Sequence, residues 1–366
     1  MKPWRTLSAL AALAAALLVL SSCKQDVEPR APTGSDVVTL QGRTMGTTYS
    51  VKVVARSAEE SARAVALQAR IDERLERVND QMSTYRPESE LERFNRHAAT
   101  TPFPVSTDTA YVVRRALDIG QKTGGAFDVT LDPLIELWGF DKGARRDTPP
   151  PPDEIAEAKA RVGTSRVSVE DTALVKDRPD VEVNLSGIAK GYGVDRVYQL
   201  LLDEGFTDVM VEIGGEVRAR GKNAKGEPWR IGISVPRSTA DPTAVLVAVP
   251  LTDAALATSG DYRNFFESGG QRYAHILDPG SGEPVRRDLV SASILAADCT
   301  TADALATAAI VLGEAKTREV LRAHFPGVEA LFVHAPEGEE GSLRVTRTEG
   351  FSVVEPAPSQ RAPEPR

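Results

Sequence analysis

Strand-like and helix-like runs follow one another in this chain without a regular strand–helix–strand alternation. That pattern points away from a doubly wound sheet and toward an α+β fold, with mixed sheets and packed helices. Val37–Gln41 and Thr48–Val54 alternate as strands. Between Ala58 and Asn79, residues Leu67, Ile71, Leu75 and Val78 fall on one helical face. A second helix is predicted from Thr107 to Lys122, stopping at Gly124-Gly125. Thr148–Pro152 reads as a proline loop, with Asp153 capping a helix to Val162. Ile188–Glu204 reads as a helix ending at Gly205. β-rich runs then follow at 207–213, 216–221, 229–235, 244–250, 272–277 and 289–296. Thr300–Leu312 is a helix of small residues, and another reaches about His324.

The ends of the chain read differently. Lys2 and Arg5 precede an apolar stretch from Leu7 to Leu20, followed by Ser21, Ser22 and Cys23. A basic start, a short apolar core and a small-residue exit form an export signal over residues 1–22. Leu-Ser-Ser-Cys resembles a bacterial lipobox, which implies cleavage before Cys23 and its acylation. The alternative is an ordinary signal peptide with an incidental cysteine. Each buried methylene of an acyl chain contributes roughly 0.8 kcal/mol, so several chains hold a protein on a membrane firmly. Residues 23–35 and 355–366 are rich in Pro and polar residues and are expected to be a disordered tether and tail. The folded domain is expected over residues 36–354.

Cys299 is the second of only two cysteines. With Cys23 acylated it has no partner within the chain, so the fold rests on its apolar core. The formal charge is −8 and becomes −10 without Lys2 and Arg5. No cluster of Lys and Arg stands out, which argues against nucleic acid as a partner. Neither a GxGxxG loop after a strand nor a Walker A loop is present.

Polar residues and glycines gather in a few segments. Asp303 and Thr307 lie four apart in the small-residue helix and share a face. Carboxylate and hydroxyl oxygens suit Mg²⁺, and the same pair also suits a purely structural helix. His275 precedes an Asp-Pro turn, where it serves either as a general base or as a turn residue. Residues 184–191 run from a strand through a small-residue turn into a helix start, with Lys190 adding charge where phosphate can bind; an exposed turn with a solvated lysine is the plainer reading. Gly214-Gly215 is either a ligand cradle or a tight turn between strands.

Taken together and in order, these segments resemble the ApbE-type FAD:protein FMN transferases. The matching pieces are GRTMGTTYS (42–50), MSTYRPESELERFN (82–95), GAFDVTLDPLIELWGF (125–140), VNLSGIAKGYGVD (183–195), GGEVRARG (214–221), ATSGDYRNFF (257–266), HILDPGSGEPV (275–285) and ADALATA (302–308). The resemblance implies a T-fold-like ApbE architecture. It implies Mg²⁺ held by Asp303 and Thr307 with main-chain oxygens at Gly187 and Ala306. It places flavin contacts at Met45, Tyr85, Ala126, Phe127, Asp128, Asn184, Lys190 and Leu277. Tyr85 could pack on a ring face. Asn184 stands where some relatives carry Asp, and Lys190 where some carry Glu.

The implied reaction cleaves FAD, joins FMN to a Thr or Ser of an acceptor protein and releases AMP. His275 is the candidate base, with Asp278 or a Mg²⁺-bound water as alternatives. The implied acceptors are membrane redox subunits with a short Thr-containing motif, which places the enzyme on the periplasmic face of the inner membrane. Lys24 and Gln25, beside the lipidated cysteine, leave outer-membrane retention as the alternative. Two rival activities remain: an FAD pyrophosphatase yielding FMN and AMP, and a flavin-binding lipoprotein without turnover. A purely structural envelope lipoprotein is the third.

Overall fold

Eight antiparallel strands form the central sheet, and their order across the sheet is their order along the chain. They are β1 (Asp36–Thr44), β2 (Thr47–Ala55), β3 (Val209–Ile213), β4 (Glu216–Arg220), β5 (Ala254–Gly260), β6 (Leu289–Ala296), β7 (Glu329–His334) and β8 (Arg344–Arg347). The computed structural model describes residues 36–140, 146–237, 241, 244–261, 264–335 and 342–356. The expected signal, Cys23, the tether and residues 357–366 of the tail lie outside the described residues.

The turn between β1 and β2 has only two residues, Met45 and Gly46, with φ of 48° and 72°. Two positive φ values give the turn whose twist matches the flanking strands. Met45 therefore occupies a backbone region that side chains rarely adopt.

Period-two patterning divides the sheet into two faces. Tyr49, Val51 and Val53 of β2 and Val209, Val211 and Ile213 of β3 share one core cluster with residues of two helices. Those helices are α1 (Gln68–Met82) and α3 (Ala189–Asp203). Helix α4 (Cys299–Leu312) extends this layer over β5 and β6, and α2 (Thr107–Lys122) packs against α4. The opposite face carries Val54, Met210, Val217, Leu256, Leu331 and Val333. A hairpin of Trp229–Ser234 and Val245–Leu251, together with Phe351, covers it.

Some local expectations change. The helix expected from 58 to 79 is two helices, Ala58–Val65 and Gln68–Met82, joined at Ala66-Leu67. Both joining residues keep near-helical angles, so the apolar stripe continues across the break. Asp153 is not a cap: Pro151 holds that place and Pro152 starts the helix, which ends at Lys159. Proline at a first helical position has its φ already set and lacks only an amide that would go unbonded there. The 272–277 run is a short strand, Gln271–Ala274, paired with Phe265–Ser268. A three-stranded sheet of Phe103–Pro104, Ala173–Lys176 and Val167–Glu170 was not foreseen. Among the described residues, no helix is long and apolar enough to cross a membrane.

Candidate active site

One end of the central sheet holds the site. The turn between β3 and β4 contributes Gly214, β4 contributes Glu216, and the end of β5 contributes Thr258, Ser259 and Gly260 to one cavity of about 420 Å³. The segment before α3 supplies its floor. Asn184 Oδ1 accepts from the Ser186 amide at 2.9 Å, bending the chain toward Gly187 and the start of α3. Asn184 Nδ2 donates to Asp132 at 2.6 Å, and the Asn184 amide donates to the Val129 carbonyl at 2.7 Å. The expected flavin contact thus has its side chain already engaged in holding the turn, while still lining the cavity.

Helix α4 supplies the opposite wall. Ala302, Ala304, Ala306, Ala308 and Ala309 are almost completely buried, which lets the helix lie close to β5, β6 and α3. Asp303 is only 2 % exposed. Its Oδ2 accepts from the Gly191 amide at 2.9 Å, and its Oδ1 lies 3.8 Å from Lys190 Nζ. Lys190 Nζ also lies 3.6 Å from Glu216 Oε1. Thr307 Oγ1 is 3.2 Å from Ser259 Oγ, and a Cβ on Gly187 would sit 3.5 Å from Thr307 Oγ1. Asp303, Thr307 and Gly187 therefore converge on one cavity. Ala306 is buried in the helix and does not line it.

Electrostatics follow from burial. Burial disfavours the charge on Lys190, but the Asp303 and Glu216 carboxylates outweigh it and hold its pKa above the usual lysine value. Burial pushes Glu216 up to about 8, with the Lys190 charge opposing that rise. Glu216 Oε2 is buried without a hydrogen-bond partner among the described residues. Burial also raises Asp128, whose Oδ1 accepts from the Thr130 amide at 2.7 Å and its hydroxyl at 2.5 Å.

His275 lines the same cavity. Its Nδ1 lies 3.2 Å from the Asn264 carbonyl oxygen. A carbonyl only accepts, so Nδ1 carries the proton and Nε2 keeps its lone pair. Burial lowers the pKa of His275, the bond to Asn264 opposes that shift, and the Lys190 charge adds to it. Asp278, the alternative base, accepts from the Gly280 amide at 2.8 Å and does not line the cavity. It holds the Asp-Pro turn.

The expected flavin contacts divide between two spaces. Ala126, Phe127, Asp128, Asn184 and Leu277 line the cavity just described. Met45 and Tyr85 line a larger one of about 670 Å³, where Tyr85 is 67 % exposed. Lys190 and Ser186 border both spaces. Glu216 and Ser259 both lie in segments marked from the sequence, but neither was given a role there. The available clue was an acid directly after a glycine pair, on a strand whose alternate residues Val217 and Ala219 are buried on the other face. Tyr262 and Arg263 of the 257–266 segment lie outside the described residues.

The match to the model of the ApbE family runs over residues 45–332. The chain belongs to the ApbE family. It is 45 % identical over 310 residues to the FAD:protein FMN transferase of Vibrio cholerae, covering 85 % of this chain and 89 % of that one. It is 40 % identical over 321 residues to the protein of the same name in Haemophilus influenzae, covering 86 % and 90 %. The solved structure of the flavin transferase ApbE from Vibrio cholerae superposes with a TM-score of 0.77 at 41 % identity, covering 87 % of this chain and 98 % of that one. The family's α+β architecture is the one expected from the ordered motifs.

Proposed function

We propose that this chain is an FAD:protein FMN transferase. The observation that carries the reading beyond family membership is the convergence of Asp303, Thr307, Lys190 and His275 on one cavity, with Lys190 also bordering a second space.

Mg²⁺ fits the donors present. Asp303 and Thr307 offer hard oxygens, and a Cβ on Gly187 would lie 3.5 Å from Thr307 Oγ1. These three residues would hold the ion, with the buried Ala306 assigned by resemblance alone. Bound there, it would neutralise charge on the pyrophosphate oxygens of FAD. Lys190 adds a second positive charge at the border of both spaces.

The reaction then needs little more than positioning and proton transfer. A Thr or Ser hydroxyl of the acceptor forms a bond to the phosphorus on the riboflavin side. The anhydride bond to AMP breaks, and AMP leaves with that oxygen. The hydroxyl proton passes to Nε2 of His275, whose neutral form and tautomer suit a base. Acyl chains on Cys23 would hold the enzyme at the periplasmic face of the inner membrane, near acceptor redox subunits. That anchor is supported by the amino-terminal sequence alone.

Incubation with FAD, Mg²⁺ and a Thr-containing acceptor peptide, read by mass spectrometry, tests the proposal. A peptide that gains FMN supports it. Free FMN with an unmodified peptide indicates a pyrophosphatase, and intact FAD indicates a binding protein.

A further inference from the structure

Helices α3 and α4 each begin with amide groups that no residue of their own helix can bond. In this molecule each helix satisfies some of those amides on the other. On α3, the Gly191 amide donates to Asp303 Oδ2 of α4 at 2.9 Å. On α4, the Cys299 amide donates to Asp195 Oδ1 of α3 at 3.0 Å, and the Thr300 amide to Asp195 Oδ2 at 2.9 Å. The Thr300 hydroxyl adds a bond to Oδ2 at 2.6 Å, and Arg218 Nη1 of β4 adds one to Oδ1 at 2.6 Å.

The spacing makes this a two-point clamp. Gly191 and Asp195 are one turn apart on α3, and Cys299 and Asp303 are one turn apart on α4. Two contacts one turn apart fix both the sliding and the rotation of one helix against the other. The helices are also pressed together, since a Cβ on Gly191 would lie 2.3 Å from the Cys299 carbonyl oxygen. Asp298 caps the same helix locally through the Thr301 amide at 2.8 Å, so α4 does not need Asp195 merely to begin.

We propose that Asp195 is a positioning residue for the site: it sets the register of α4 and thereby the place of Asp303 and Thr307 opposite Gly187 and Lys190. It lines neither cavity. Its carboxylate receives four donors, so an amide in its place would turn its NH₂ toward the backbone N–H of either Cys299 or Thr300, whichever way it is flipped. The consequence for rate rests on the flavin-transfer reading, whereas the clamp itself does not.

The test is Asp195→Asn in the full chain, assayed well below its Tm for FMN transfer and for amide exchange. The expected result is a fall in kcat of about 100-fold, the scale of a misplacement near 1 Å, with KM for FAD changed less than about threefold. Exchange at the Gly191 amide should rise by at least about tenfold, although Asp195 does not touch it, because the partner contact loosens. Phe351→Ala, on the far face of the sheet, controls for lost stability: it should lower Tm without moving kcat, and any rise in Gly191 exchange should match that of other core amides rather than stand out at Gly191. If Asp195→Asn does not fold, Thr300→Ala removes only the hydroxyl bond and should move the same readouts in the same direction. Unchanged kcat and unchanged Gly191 protection in the folded variant would overturn the proposal. Absence of transfer by the wild-type protein would instead count against the function, leaving Gly191 exchange to decide on the clamp.

Discussion

The far face of the central sheet and the contact between α3 and α4 are packed by different kinds of side chain. On the far face, Trp229, Met210, Leu331, Val333 and Phe351 interlock as large apolar groups. At the α3–α4 contact, Gly191 lies against the Cys299 backbone and Asp303, with Asp195, Lys190 and Asp303 bridging the helix starts. Large side chains bury more apolar area and support the fold. Small ones let backbone and polar groups come close enough to act together. Substitutions at the α3–α4 contact should therefore damage activity more than stability, and those on the far face the reverse.

The sharpest challenge to that division is Gly191→Ala. Its Cβ would lie 2.3 Å from a backbone oxygen and 2.8 Å from Asp303 Cβ, so neither neighbour can yield by a rotamer change. Transfer should fall below detection, with a stability loss of about 1–3 kcal/mol from overpacking, measured by denaturant unfolding. Transfer within tenfold of wild type would break the distinction. Asp303→Asn should follow, with kcat lower by about 10²–10³-fold and a Tm close to wild type. On the far face, Phe351→Ala should cost about 3–5 kcal/mol by the same unfolding measurement, while kcat of the folded protein stays within twofold.

The smallest effect is a pH shift. The lowered pKa of His275 keeps it neutral below the usual imidazole range, so the acid limb of kcat should lie below about pH 6.5. His275→Gln should remove that limb. Stability carries the matching sign: the unfolded chain takes up this proton first, so the contribution of His275 is lost as pH falls below about 6.5.

Much of this was legible in the chain. The 3.6-residue stripe through Ile71, Leu75 and Val78 and the alternation in β2 follow directly from periodicity. Asp303 and Thr307 were found because four residues make one helical turn. The three-stranded sheet was missed because two- and four-residue strands leave too short a pattern to separate from loop. Glu216 was missed for a different reason. Its partner Lys190 is 26 positions away, and a contact across that distance exists only after β4 and α3 are packed. Asp195 was similarly hidden: within the 183–195 motif it reads as an ordinary helix carboxylate, and its role depends on α4, about a hundred residues later.

The most direct measurement is the ratio of AMP released to FMN covalently held by an acceptor, for wild type and Asp303→Asn. A ratio of one in the wild type, with both products suppressed together in the variant, is the predicted result. AMP in excess, with FMN free in solution and the acceptor unmodified, would contradict transfer.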